Sequence, residues 1–173
     1  MKFFLTACLI ALSLPALGND FDNWYFNFLA GQVESQGDMF SPDGEQVGTF
    51  AGQMKSAVSK DGKSFRSDFE CLYLPMEIEV KEDSVWTKGK DGTFRSSDKN
   101  IEGVKFKVTL TVKKDKTAQA KAVYVDGRKM TVDYQLKDDG KIHAVVTISL
   151  PNGVEGVAMK YQVSKAKPEK EAP

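Results

Sequence analysis

Side chains able to carry out nucleophilic or acid–base chemistry occur throughout this chain, but no catalytic motif groups them. His143 is the only histidine. It stands between Ile142 and Ala144 in an alternating segment, so it faces the opposite side of a strand. A serine hydrolase needs an imidazole beside its nucleophile, but the sequence contains no G-x-S-x-G elbow. We therefore predict a surface position for His143, no catalytic residue and no enzymatic activity.

Metal and cofactor chemistry lacks ligands as well. Beyond the first 18 residues the chain has one cysteine, Cys71. One thiolate and one imidazole do not complete a zinc site without several carboxylates, and haem ligation would rest on His143 alone. Asp43, Asp61, Asp91, Asp126 and Asp139 each precede a glycine in a turn motif, where a backbone role explains them. We predict no metal and no cofactor, and for Cys71 a small, buried strand residue.

The first eighteen residues are typical of a secretory signal peptide. Lys2 supplies a positive start, residues 3–15 are apolar, and Ala16-Leu17-Gly18 is a small-residue cleavage site. The mature chain would begin at Asn19 in the periplasm or outside the cell, and a bacterial envelope is favoured. The alternative, a lipoprotein anchored at Cys8 after Leu5-Thr6-Ala7, leaves too few residues for a signal helix.

Composition indicates one globular domain without a polyanionic partner. The chain has 24 basic and 24 acidic side chains, with the signs interspersed, which argues against nucleic acid as a partner. No apolar run after residue 18 approaches the ~20 residues of a spanning helix. We expect a single domain over residues 19–164 and a disordered, charged tail over residues 165–173.

A repeated turn signal organises the chain. Glycine adopts positive φ freely and Asp or Asn bonds its own backbone, so these pairs mark tight hairpins. The six pairs are Asp43-Gly44, Asp61-Gly62, Asp91-Gly92, Asp126-Gly127, Asp139-Gly140 and Asn152-Gly153.

Between these turns the hydrophobic period is two, as expected of strands with one buried face. The clearest example runs from Val104 to Val112, where apolar residues alternate with Lys and Thr. Further strands are expected over residues 31–40, 45–59, 64–74, 76–87, 130–136, 142–150 and 157–163. Residues 20–29, rich in aromatics, predict a short helical turn or lead-in strand, capped by Asp20, that plugs one end.

Sequential hairpins of this number predict an all-β fold, an antiparallel up-and-down barrel of about 8–10 strands. The alternative is a two-sheet β-sandwich, whose crossover would have to fit within residues 87–101. A transmembrane barrel is disfavoured because aromatics such as Phe106 lie in mid-strand instead of forming girdles.

The segment Phe26-Asn27-Phe28-Leu29-Ala30-Gly31, followed by the Pro42-Asp43-Gly44 hairpin, resembles the start of bacterial calycin-type, lipocalin-like secreted barrels. Lipocalins proper have a tryptophan two residues after this glycine, where this chain has Val33. The resemblance implies a closed antiparallel barrel whose mouth takes an apolar molecule such as a lipid, without catalysis.

Ala118, Ala120 and Ala122, three small residues on one strand face, suggest space inside the barrel. Because the residues on the neighbouring strands are larger, one interpretation is a ligand-binding pocket of ~300 Å³. The other is a filled barrel in which the alanines only complement their large neighbours. The predicted lining residues are Phe106, Leu110, Ala118, Ala120, Ala122, Tyr124, Met130 and Tyr134. The corresponding functions are a carrier of a small apolar ligand or, with a filled interior, an interaction or structural protein with an envelope protein partner.

Overall fold

A computed structural model describes residues 18–97, 99–101 and 104–166, with side chains over 18–97 and 106–166. Residues 1–17 of the predicted signal peptide lie outside this range, as does the predicted tail from residue 167 onward. Lys165, the first residue of that tail, is the last residue of a strand.

The described chain is one short helix followed by strands that close into a barrel. The helix α1 spans Trp24–Leu29. The strands are β1 (Gly31–Phe40), β2 (Gln46–Val58), β3 (Phe65–Leu74), β4 (Ile78–Lys88), β5 (Phe94–Ser96), β6 (Lys99–Ile101), β7 (Val104–Val112), β8 (Thr117–Tyr124), β9 (Lys129–Leu136), β10 (Ile142–Ser149) and β11 (Glu155–Lys165).

Closure comes from the pairing of the first strand with the last. Strands β1 and β11 pair antiparallel, with Val33 opposite Lys165, and the remaining pairs follow chain order. Strands β5 and β6 both pair with β7, so together they fill one of ten positions around the barrel. The up-and-down barrel is confirmed. The sandwich alternative is wrong, because β5 and β6 form this broken strand, within the range where a crossover would have to lie.

All six Asp-Gly and Asn-Gly pairs lie in hairpin turns, and each of their glycines has positive φ. In the β2–β3 turn the Asp61 carboxylate accepts hydrogen bonds from the Ser59 hydroxyl at 2.6 Å and the Lys63 amide at 3.0 Å. These bonds, the one from Ser59 foremost, lower the pKa of Asp61. The predicted backbone role of the turn aspartates is therefore visible in their contacts.

Helix α1 seals one end of the barrel. Its cap is Asn23, whose side chain accepts hydrogen bonds from the Tyr25 and Phe26 amides; the prediction that Asp20 is the cap was wrong. Asp20 instead donates its backbone N–H to the Gly62 carbonyl at 3.1 Å, which joins this segment to the β2–β3 turn. Trp24 Nε1 donates to the Lys113 carbonyl in the β7–β8 turn at 2.8 Å. The helix and the segment that precedes it thus contact turns from two sides of the barrel. We call this end of the barrel the sealed end.

The opposite end, the mouth, is formed by the turns at residues 41–45, 75–77, 125–128 and 150–154. Exposed aliphatic side chains concentrate there, on two sides that face each other across the barrel. They are Val47, Leu72, Leu74, Met76, Ile78, Val123, Val125, Leu150 and Val154. Among the described residues no helix is long and apolar enough to cross a bilayer.

Candidate functional site

A cavity of about 300 Å³ lies inside the barrel between α1 and the mouth. Its walls are mostly aliphatic and aromatic, with a few hydroxyls and one carboxylate. The lining residues are Tyr25, Leu29, Val33, Ser35, Phe50, Met54, Phe69, Tyr73, Glu82, Met130, Val132, Tyr134, Ile142, Val146, Met159, Tyr161 and Val163. A mainly apolar wall with a few polar groups is typical of sites for small organic ligands.

Three tyrosines bring their hydroxyls together on one wall, and we call Tyr25, Tyr134 and Tyr161 the tyrosine cluster. Tyr161 Oη donates a hydrogen bond to Tyr134 Oη at 3.5 Å, and the Tyr25 ring packs edge-on against Tyr134 at 5.2 Å. Burial raises the pKa of Tyr25 and Tyr161 well above the ordinary value, and that of Tyr134 as well. The hydroxyls therefore stay protonated at physiological pH and act as neutral hydrogen-bonding groups.

Small residues on neighbouring strands make room for these rings. In the sheet register Tyr134 is flanked by Ala118 on β8 and Ala144 on β10. Tyr161 is flanked by Ala144 and by Gly37 on β1. Since side chains directly opposite each other in a sheet are close neighbours, a larger residue at these positions would take the space of the rings. Tyr25 reaches the same wall from α1.

Two further polar groups line the cavity. Ser35 Oγ is buried and has no hydrogen-bond partner among the described residues. Glu82, on β4, accepts a hydrogen bond from Ser84 Oγ at 2.8 Å. Strand β4 lies four positions from β9 and four from β11 in the barrel order, so this carboxylate and the tyrosine cluster occupy opposite walls.

The cavity wall includes an acidic side chain but no basic one. None of its described lining residues is Lys, Arg or His. A buried anion is costly unless it has a charged or hydrogen-bonding partner. The described wall thus lacks the basic side chain that would neutralise an anionic ligand.

Two of the eight predicted site residues, Met130 and Tyr134, line this cavity. The other six also face the barrel interior, but they pack in the hydrophobic core outside the cavity wall. Ala118, Ala120 and Ala122 are each at most 3% exposed, and Tyr124 packs on Phe106 at 4.7 Å between ring centres. Whether any of the eight contacts a ligand stays a prediction.

The residues considered for catalysis lie where the sequence placed them. His143 is on the outer face of β10, partly exposed, with Nε2 at 2.9 Å from Asp139 Oδ2. That contact is the first cause that lowers the pKa of Asp139. Cys71 is buried with a free thiol, and burial raises its pKa, which makes it a poor nucleophile. No group of potential metal ligands occurs among the described residues.

Sequence reasoning missed Tyr25, Ser35, Glu82 and Tyr161 as members of the site. Strand alternation does place Tyr161 on the buried face with Val163, and the same parity predicts an inward Glu82 from its neighbour Ser84. Alternation along a strand does not tell which strands face each other across the closed barrel.

A closed barrel with a sealed end, a mouth and an interior cavity defines a calycin-like fold. No family model matches the chain, and no curated protein matches it. Its structure is similar to that of the S-type phycobiliprotein lyase CPES from Guillardia theta, with a TM-score of 0.63. The sequences are 12% identical, and the likeness covers 84% of this chain and 92% of that chain. This likeness shows the fold and supports the calycin-like architecture that the opening residues predicted.

Proposed function

We propose that this protein is a non-enzymatic binding protein that holds one small, mainly apolar molecule in the barrel cavity. The observation that carries the proposal is the cavity of about 300 Å³ with apolar walls and converging hydroxyls. That volume is at the lower end of the range for small-molecule sites, ~300–1,000 Å³. It is about ten times the volume that one water occupies in the liquid, ~30 Å³.

An open interior favours a ligand-holding barrel over a filled one. The cavity is present although the rings of Tyr134 and Tyr161 already take the space beside Ala144 and Gly37. The exposed aliphatic residues at the mouth form an apolar surface that an apolar molecule can contact as it enters the barrel. These features support the carrier hypothesis over the structural, filled-barrel alternative.

The cavity chemistry also supports binding without turnover. The hydroxyls of Tyr25 and Tyr161 have raised pKa values, so they are poor general acids at neutral pH, although they can still donate hydrogen bonds. No Cys, Lys or His lines the described cavity wall, its serine, Ser35, has no base hydrogen-bonded to it, and Glu82 is its single carboxylate. The structurally similar protein is named a lyase, but at 12% identity the likeness extends to the fold and not to an activity.

A pair of variants on adjacent residues of β10 tests the site. Val146 is 5% exposed and lines the cavity, so Val146→Trp should fill it. We expect at least a tenfold loss of affinity for N-phenyl-1-naphthylamine, an uncharged apolar dye whose fluorescence rises in an apolar site. Titration of the dye into purified protein measures this.

The matched control is Val145→Trp, one residue away and on the outer face, where the side chain is 36% exposed. It should bind the dye like the unchanged protein. Equal affinity of all three proteins would place the dye elsewhere and contradict the cavity as the binding site. Absence of binding to the unchanged protein, together with no molecule recovered by organic extraction and mass spectrometry, would count against a carrier.

We further propose that the protein acts after export, as a periplasmic or extracellular domain. The support is the sequence of residues 1–18, with its positive start, apolar stretch and small-residue cleavage site. In a bacterial host the full-length chain should yield an exported form whose N-terminal residue is Asn19. An intact, unprocessed chain confined to the cytoplasm would contradict export.

A further inference from the structure

We propose that the cavity selects uncharged ligands that carry a hydrogen-bond-accepting oxygen, and that the Tyr134 hydroxyl donates to this oxygen. The inference rests on the proposed function and adds the chemical class of the ligand. It draws on the hydrogen bonds of the tyrosine cluster, on Ser35 and on the charges of the cavity wall.

The first step is a count of protons in the tyrosine cluster. A phenol has one proton to donate and also accepts hydrogen bonds. Tyr161 Oη lies 3.5 Å from Tyr134 Oη, a long contact in which Tyr161 takes the donor role. Hydrogen bonds from Tyr161 and Tyr25 act to lower the pKa of Tyr134 against the effect of burial, as expected of an oxygen that accepts from both. The cluster thereby converges on one oxygen.

The proton of Tyr134 itself is then left over. Among the hydrogen bonds of the described residues, none has the Tyr134 hydroxyl as the donor to a protein acceptor. Because a buried donor gains from an acceptor, an acceptor oxygen placed in the cavity beside Tyr134 would be stabilised by this proton. A carbonyl, ether or hydroxyl oxygen of a bound molecule is such an acceptor.

Ser35 supplies a second unsatisfied group on the same side. Its Oγ is buried without a partner. In the β1–β11 pairing Ser35 lies opposite Val163, two residues from Tyr161, which makes it a diagonal neighbour of the tyrosine cluster. Diagonal neighbours in a sheet are within reach of long side chains. The Ser35 hydroxyl thus lies near the Tyr161 end of the tyrosine cluster.

The charges of the wall exclude an anionic head group. The lining has no basic residue in its described part, and Glu82 lies on the opposite wall. A carboxylate inside this cavity would be desolvated without a basic side chain of the described wall to neutralise it. A ketone or alcohol of the same size carries the acceptor oxygen without that cost.

Matched ten- and eleven-carbon probes test the selection. We expect 2-undecanone and 1-decanol to displace N-phenyl-1-naphthylamine from the unchanged protein at pH 8. Decanoate, fully ionised at that pH, should require at least a tenfold higher concentration. Displacement by decanoate at the same concentration as the ketone would overturn the inference while leaving a binding cavity in place.

The variant Tyr134→Phe removes the donor and keeps the ring. It should weaken 2-undecanone about five- to tenfold, the effect of one hydrogen bond, with little change in the affinity for the dye. The control is Tyr124→Phe, because Tyr124 faces the interior outside the cavity wall and its hydroxyl contacts Met130 Sδ at 3.6 Å. Equal losses in both variants, or none in Tyr134→Phe, would remove Tyr134 as the donor. Failure of the dye and of every probe to bind the unchanged protein would instead overturn the proposed function.

Discussion

Replacing Phe26 by alanine is expected to lower the free energy of unfolding by about 3–5 kcal/mol, the usual cost of deleting a buried phenyl ring. Phe26 is 1% exposed. Its ring centre lies 4.8 Å from those of Phe21 and Phe65 and 4.7 Å from that of Phe94. It thus joins the helix to β3 and β5, and its removal leaves a void at the sealed end.

Phe28→Ala on the same helix is the matched control for this loss. Phe28 is only partly buried, and Lys165 Nζ lies over its ring, 5.6 Å from the ring centre. We expect a smaller loss, about 1 kcal/mol, because an exposed cation–π contact contributes ~0.5–1 kcal/mol. Urea denaturation followed by tryptophan fluorescence measures both. Similar losses for the two variants would contradict the role assigned to the aromatic seal.

Gly37→Ala is expected to be strongly damaging for a change of a single methyl group, with a loss of about 3 kcal/mol from overpacking. A Cβ at Gly37 would come closer than 3.0 Å to the Lys160 carbonyl oxygen and to the Tyr161 backbone. The atoms that it meets belong to the paired strand β11, so the chain closure itself must shift. The same shift would move Tyr161, and the affinity for ligand should fall with stability.

The control for this variant is Gly156→Ala, a strand glycine of β11 whose added Cβ would lie 3.4 Å from its nearest neighbour, the Pro42 carbonyl oxygen. There the methyl group fits, and restricting the unfolded chain should leave stability unchanged or slightly higher. Thermal unfolding by circular dichroism compares the two. A stable Gly37→Ala protein with native ligand affinity would show that the β1–β11 contact is less crowded than the structure indicates.

The fold was predictable wherever local rules decide it. The turn pairs located six hairpins, and strand alternation located the buried faces, because both depend on neighbours in sequence. The β7–β8 hairpin lacked that signal, since Lys116 takes the positive φ that glycine usually takes. The β5–β6 break was hidden for a similar reason: both short segments pair with β7, and a pairing is not a local property.

The site was less predictable than the fold. The alanine strand was correctly expected to face inward, but Ala118 contributes by leaving space for Tyr134 and does not line the cavity itself. Tyr25 was expected only as a core aromatic, and it joins Tyr134 because α1 folds over the sealed end. Contacts across a barrel depend on closure, which brings residues together that are more than a hundred positions apart, and no periodicity records them.

Both ends of the domain lie at its sealed end. Helix α1 enters there, and β11 ends there, with Lys165 Nζ at 2.6 Å from the Ala30 carbonyl oxygen and the Ala166 amide at 3.1 Å from that of Gln32. Anything joined to either end, such as a tether, a fluorescent fusion or a surface linkage, would therefore stand behind the barrel. The mouth would point away from the point of attachment, so an immobilised protein keeps the same access to its cavity as a free one.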